Sequence, residues 1–150
     1  MTADHQVDFL PESAVLSRWA ACAAMMLNWR SHEQYEEEEL VAHFRGTGID
    51  PANNIDCEYL PEQLGMTVTR DLRATPDLWE RSLSDGPIMI GSPRSVIVVA
   101  GLQGDGTPDD TRVHVLDPAT GQDWQAYEEV QRLYELDPTA GYTHNLYQWP

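Results

Sequence analysis

Apolar residues crowd most densely between Leu16 and Arg30, LSRWAACAAMMLNWR, where only Ser17, Arg18, Asn28 and Arg30 are polar. A segment hydrophobic on nearly every face, with four alanines in its middle, reads as a helix buried at the centre of a domain. It is too short for a bilayer, which needs about 20 apolar residues. Ser17 is the expected N-cap. Arg18 would then be the first helical residue, a cation at the positive end of the helix dipole, unfavourable by about 0.3–1 kcal/mol unless acids offset it. A broken local rule at the start of a central helix marks a functional or strained site.

The rest of the pattern is shorter-ranged. Gln6 to Leu10 reads as an extended lead into a turn at Pro11-Glu12-Ser13. His32 to Phe44 reads as a second helix with Tyr35, Leu40, Val41 and Phe44 inward and the acid run Glu36 to Glu39 near its favourable N-terminal end. Gly46-Thr47-Gly48 stops it, and Ile49 to Asn54 is a loop. A short helix over Ile55 to Leu64, interrupted by Pro61, precedes a strand from Met66 to Thr69. Thr75-Pro76-Asp77 opens a helix to Ser84, with Asp85-Gly86-Pro87 beyond it. Ile88 to Ile90 and Ser95 to Leu102 are β-branched apolar runs of buried strands. Gln103 to Asp110 is a turn into a partner strand, Arg112 to Leu116. Gln122 to Tyr134 reads as a short helix and Tyr142 to Trp149 as a closing strand. Helices first and strands later predict an α+β domain spanning residues 1–150.

Composition narrows the partners. Twenty-five acids face 9 bases, all Arg, for a net charge of −16. Such a surface repels nucleic acid and anionic membrane and attracts a basic protein patch, or serves solubility alone. The N-terminus lacks a basic-plus-apolar signal, so the expected location is the cytoplasm, export by dedicated machinery aside. Cys22 and Cys57 form no disulfide framework, and no His/Cys spacing suits a metal. Asp105, Asp109 and Asp110 fail the EF-hand spacing, so the expectation is a hairpin turn and no cofactor.

Two runs carry a resemblance. S-R-W-A-A-C-A-A-M-M-L-N-W is similar to the C-W-A-A…A-M…W helix of bacterial papain-like cysteine peptidases of the C39-like and AvrRpt2-like groups. GPIMIGSPRSVIVVAGLQGDGTPDDTRVHVLDP resembles their later block, G-P-L-W-V…H-A-V-V-V-T-G…G-D-G-T-P-D…V…D-P. The resemblance implies a papain-like α+β fold, a central buried helix packed on a small antiparallel sheet. It also assigns roles. The nucleophile position is Arg18, the base position Ser95, the oxyanion position Glu12, and the orienting acid is Asp117.

Arg stays protonated and cannot be a nucleophile, Ser95 has no basic nitrogen, and Glu12 repels an oxyanion. The expectation is therefore a pseudopeptidase, not an enzyme, that binds a basic protein through its acidic surface. Its type would be an immunity protein, an adaptor or an effector chaperone, with Glu36, Glu37, Glu38 and Glu39 the first contact candidates. The alternative is an enzyme with a relocated or non-peptidase site near Arg18, Ser95 and Asp117, Arg18 acting as an anion clamp. Cys22, one turn beyond Arg18, reads as buried packing, and Cys57 lies among acids. Glu12, Arg18 and Asp117 are expected to form an internal ion pair at the old centre.

Overall fold

A computed structural model of the chain describes residues 2–12, 18–45, 64–92 and 95–150, with the backbone alone at 18 and 43–45. The helices are α1 (Arg18–Ser31), α2 (Glu37–Arg45), α3 (Pro76–Leu83) and α4 (Tyr127–Leu133). The strands are β1 (Thr2–Asp4), β2 (Thr67–Leu72), β3 (Ile88–Gly91), β4 (Val96–Gly104), β5 (Thr111–Asp117), β6 (Gly121–Ala126) and β7 (His144–Gln148). All seven belong to one antiparallel sheet, ordered β2-β7-β3-β4-β5-β6, with β1 added to β4 beyond the end of β3.

The sheet is covered on both faces, which explains the unbroken apolar runs of β3 and β4. On one face Met89, Val96, Val98, Ala100, Leu116 and Tyr147 pack under α1 and α2. On the other, Ile90, Ile97, Val99, Val115 and Leu146 pack under Trp79 and Leu83 of α3 and Tyr127 and Val130 of α4. Residues 19–26 of α1 are fully buried, as an all-round apolar helix requires. The α+β expectation, with a buried central helix on an antiparallel sheet, holds.

Local chemistry sets the element ends. His32 adopts φ +57° just past α1, the left-handed conformation that ends a helix. The Asn28 amide then grips Tyr35, donating to its carbonyl at 2.9 Å and accepting from its N–H at 2.7 Å. These ties exclude a helix beginning at His32; α2 starts at Glu37, where the Glu36 N–H donates to Glu39 Oε1 at 3.2 Å. Thr75 caps α3 by accepting the Leu78 N–H at 3.2 Å, with Pro76 opening the helix.

Two further expectations change. Gln122 to Ala126 is strand, not helix: β6 pairs residue by residue with β5, and Trp124 stacks on His114 with ring centroids 5.0 Å apart. Only Tyr127–Leu133 is helical. The extended lead begins earlier than expected, as β1. It lies so close to β4 that a Cβ on Gly101 would overlap the Ala3 carbonyl and come within 2.9 Å of Asp4 Oδ1. Through that opening Asp4 reaches His114 on β5, whose Nδ1–H donates to Oδ1 at 2.8 Å. The expected cap at Ser17, the loop at 46–54, Cys57 and all but the last residue of the Ile55–Leu64 helix lie outside the described residues.

Candidate active site

The antiparallel pairing of β4 with β5 brings the start of one beside the end of the other. Val98 faces Leu116, so Ser95, just before β4, and Asp117, the last residue of β5, reach the same end of the sheet. Cys22, one turn into α1, donates its thiol to the Val96 carbonyl at 3.4 Å, which puts the start of α1 at that end too. The Glu12 N–H donates to the Pro118 carbonyl at 3.0 Å. All four motif positions, at Glu12, Arg18, Ser95 and Asp117, therefore converge.

Asp117 is 2 % exposed and held at both oxygens. Oδ1 accepts the Ala119 N–H at 2.9 Å and Oδ2 the Tyr134 hydroxyl at 2.8 Å. Burial, reinforced by the Asp117 carboxylate, pushes the Tyr134 phenol up to about 12. The described partners of Asp117 are a hydroxyl and an amide; the Arg18 side chain, on which the expected ion pair turns, lies outside the described residues.

Beyond Asp117 the chain turns at 118–120, where Thr120 N–H donates to the Asp117 carbonyl at 3.2 Å, and returns as β6 from Gly121 at φ +115°. This hairpin and the end of α4 enclose a cavity of about 680 Å³, lined in part by Ser95, Asp117, Gln122, Asp123, Gln125 and Tyr134. Sequence reasoning located Ser95 and Asp117 but not the other four. Gln122 to Tyr134 looked like one helix, which would have turned those side chains elsewhere. Ser95 is 5 % exposed, at the inner wall.

The acid run is split by the packing. Glu36, Glu38 and Glu39 are exposed, whereas Glu37 is buried at 4 %, so the four-residue contact surface expected from sequence lacks Glu37. The Asp105 turn closes on itself, Oδ1 accepting the Thr107 N–H at 2.8 Å and its hydroxyl at 2.6 Å. Among the described residues no cluster of three His, Cys, Asp or Glu could hold a metal, and no helix is long and apolar enough to cross a membrane.

The family profile of the papain-like cysteine protease AvrRpt2 matches residues 2–134. The chain belongs to this family. No curated protein matches it. Among solved structures it is similar to a double glycine motif protease from an AMS/PCAT transporter, in complex with the leader peptide. That similarity has a TM-score of 0.63 and 17 % identity, over 99 % of this chain and 95 % of the other. It is also similar to UfSP from C. elegans, at a TM-score of 0.62 and 13 % identity, over all of this chain but only 34 % of that protein. At such identities the likeness concerns the fold, which is papain-like.

Family membership corrects the expectation that the chain is not an enzyme. The family is one of cysteine proteases, and the described residues retain a buried Cys22 and a buried His144. Arg18 and Ser95 at two motif positions therefore do not establish inactivity. The two buried groups lie on opposite faces of the sheet. Cys22 lies on α1, packed against one face, while His144 Nε2 accepts the Trp79 indole N–H at 3.2 Å under α3 on the other.

Proposed function

We propose that this papain-like domain receives an extended, basic polypeptide segment in the cavity beside Asp117. The observation that carries the reading is the meeting of Ser95 and Asp117 on an open cavity of about 680 Å³. The charge balance supports it: a net −16 raises the local concentration of basic chains and speeds their association. The similar transporter protease holds a leader peptide, which is in keeping with a polypeptide as ligand. Glu36, Glu38 and Glu39, exposed on α2, extend the acidic surface and steer the partner from a distance.

A degenerate library of basic peptides titrated into the isotope-labelled chain tests this. The expected amide shifts lie at 95–97 and 117–125 and weaken between low and physiological salt, where charges more than about 8 Å apart are screened. Peptide-induced shifts confined to other surfaces, or none, refute it.

Family membership favours a second reading, turnover of the bound segment. Its chemistry would draw on Ser95 and Asp117 at the cavity, an arrangement unlike a Cys–His pair. Mass spectrometry of the incubated library reads it directly. Cleavage or acyl-transfer products lost in Ser95→Ala but kept in Cys22→Ala would place the chemistry at the cavity. Products lost only in Cys22→Ala would place it at the thiol.

A further inference from the structure

Resting on the reading that the cavity receives a polypeptide, we infer that the segment binds by strand addition, lying along the outer edge of β6. This strand closes the sheet beyond β5, and its register runs from Arg112 opposite Ala126 to Asp117 opposite Gly121 without a bulge. In such an antiparallel pair alternate residues turn their N–H and C=O away from the partner strand. Trp124 is one of them, for both its backbone groups are spent on side chains. Its N–H donates to the Asp123 carboxylate at 2.8 Å, and its carbonyl accepts from the Arg112 guanidinium at 2.9 Å. Gln122, two residues earlier, shares the outward phase.

Asp123 and Arg112 occupy the places that a further strand would fill. A carboxylate oxygen stands where its carbonyl would lie, and a guanidinium N–H where its amide would. An extended chain supplies the same two bonds and continues the ladder at Gln122. The cavity lies where such a chain would run. Gln122 and Asp123 point to opposite faces of the sheet and both border it, so it follows the edge of β6 and not one face. Gln122, Asp123 and Ala126 are exposed. Charge selects the occupant. A second copy brings another −16, which opposes edge-to-edge pairing of the chain with itself, whereas a basic segment is drawn in. Displaced from the Trp124 N–H, Asp123 becomes the cross-strand partner of a Lys or Arg on that segment.

Fluorescence anisotropy on the full chain tests the mode with labelled heptapeptides that alternate Lys with Val or Thr. Their controls have the same sequences N-methylated at two adjacent central residues. The methyl groups leave charge and side chains unchanged and remove one backbone donor from each edge of the peptide. Unmethylated peptides are expected to bind about tenfold tighter, the loss of one or two backbone hydrogen bonds, and to slow amide exchange at Gln122 and Trp124. Gln122→Pro, at an exposed edge residue whose N–H points away from β5, should weaken the unmethylated peptides about fivefold and leave the methylated ones unchanged. Equal binding of the two sets, with amides shifted at 95–97 and 117–125, overturns strand addition and leaves the polypeptide reading standing; Asp123 and Arg112 then only guard the edge. Strand addition also falls if folded Gln122→Pro binds unmethylated peptides at full strength. Where that variant does not fold, it falls if the Gln122 and Trp124 amides of the natural chain exchange as fast with peptide as without. Self-association of the peptide-free chain through β6, read by sedimentation, gives the edge to a second copy and overturns it as well. Absence of binding by every peptide overturns both readings.

Discussion

His144 makes the fold acid-sensitive through one group. It is 2 % exposed on β7, accepts the Trp79 indole N–H at Nε2, and lies edge-on to that ring at 5.8 Å. Burial lowers its pKa from 6.5 to about 4. In the unfolded chain it titrates near 6.5, so between pH 6.5 and 4 the unfolded state binds the extra proton. Stability therefore rises with pH across that window. The contribution is fully present above pH 6.5, is lost as pH falls towards 4, and levels off below. At about 1.36 kcal/mol per unit, integration down to pH 4 gives about 3 kcal/mol. Physically, a protonated ring would turn Nε2 from acceptor to donor against the indole N–H and leave a charge in the layer between α3 and the sheet. Many carboxylates titrate in the same range, so the measurement is a difference. Urea unfolding followed by tryptophan fluorescence, from pH 4 to 8, compares the natural chain with His144→Gln, whose amide oxygen can still accept from Trp79. The natural chain should lose about 3 kcal/mol more than the variant between pH 7 and 4. Parallel pH profiles would refute the reasoning.

Other perturbations have equally direct readouts. Tyr134→Phe removes a hydrogen bond to a buried carboxylate and should cost about 1.5–3 kcal/mol in urea unfolding. Asp117→Asn, by removing the neighbouring charge, should bring the Tyr134 phenol down from about 12 in an ultraviolet titration. Gly101→Ala places a methyl against the Ala3 carbonyl and should release β1, seen as faster amide exchange in β1 with the α1 face of the core unchanged. Thr75→Ala loses the cap of α3 and should lower stability by about 1 kcal/mol.

What could be read from sequence followed the strength of local signals. β3 and β4 were legible because strands buried on both faces are continuously apolar. α3 was legible because Thr75-Pro76-Asp77 states its own cap. β6 was not: GQDWQA is polar at nearly every position, and it is a strand only because β5 offers a ladder and His114 a ring for Trp124. β1 has three residues and no pattern; its place depends on the missing Cβ of Gly101, a hundred residues away in sequence. Glu37 looked like its three neighbours, yet it is the one turned inward, since helical phase and not composition decides which side a residue faces. The motif positions put Ser95 and Asp117 at one end of the sheet, because family blocks fix strand starts and ends. Tyr134 and Gln125 sit beyond both blocks, and only the hairpin after Asp117 and the start of α4 at Tyr127 bring them back.

Asp117 serves two ends, and this decides which variant speaks for the cavity. Pro118 has no N–H to donate to the ladder, so β5 stops at Asp117. The carboxylate then ties the turn through Ala119 and the end of α4 through Tyr134. Those bonds would maintain an acid at this position for architecture alone, whatever stands at residue 95. Retention of the acid therefore says little about chemistry, and an Asp117 variant perturbs the fold and the pocket together. Ser95 differs. Its N–H donates to the Ser92 carbonyl and hydroxyl, and its carbonyl receives the Ser92 N–H at 2.8 Å and the Ser92 hydroxyl. These four ties of the β3–β4 turn use the backbone of Ser95 and survive Ser95→Ala, so urea unfolding of the variant decides whether the hydroxyl itself supports the fold. A change in peptide binding or turnover in Ser95→Ala, with unfolding by urea unaltered, therefore belongs to the cavity and not to the scaffold.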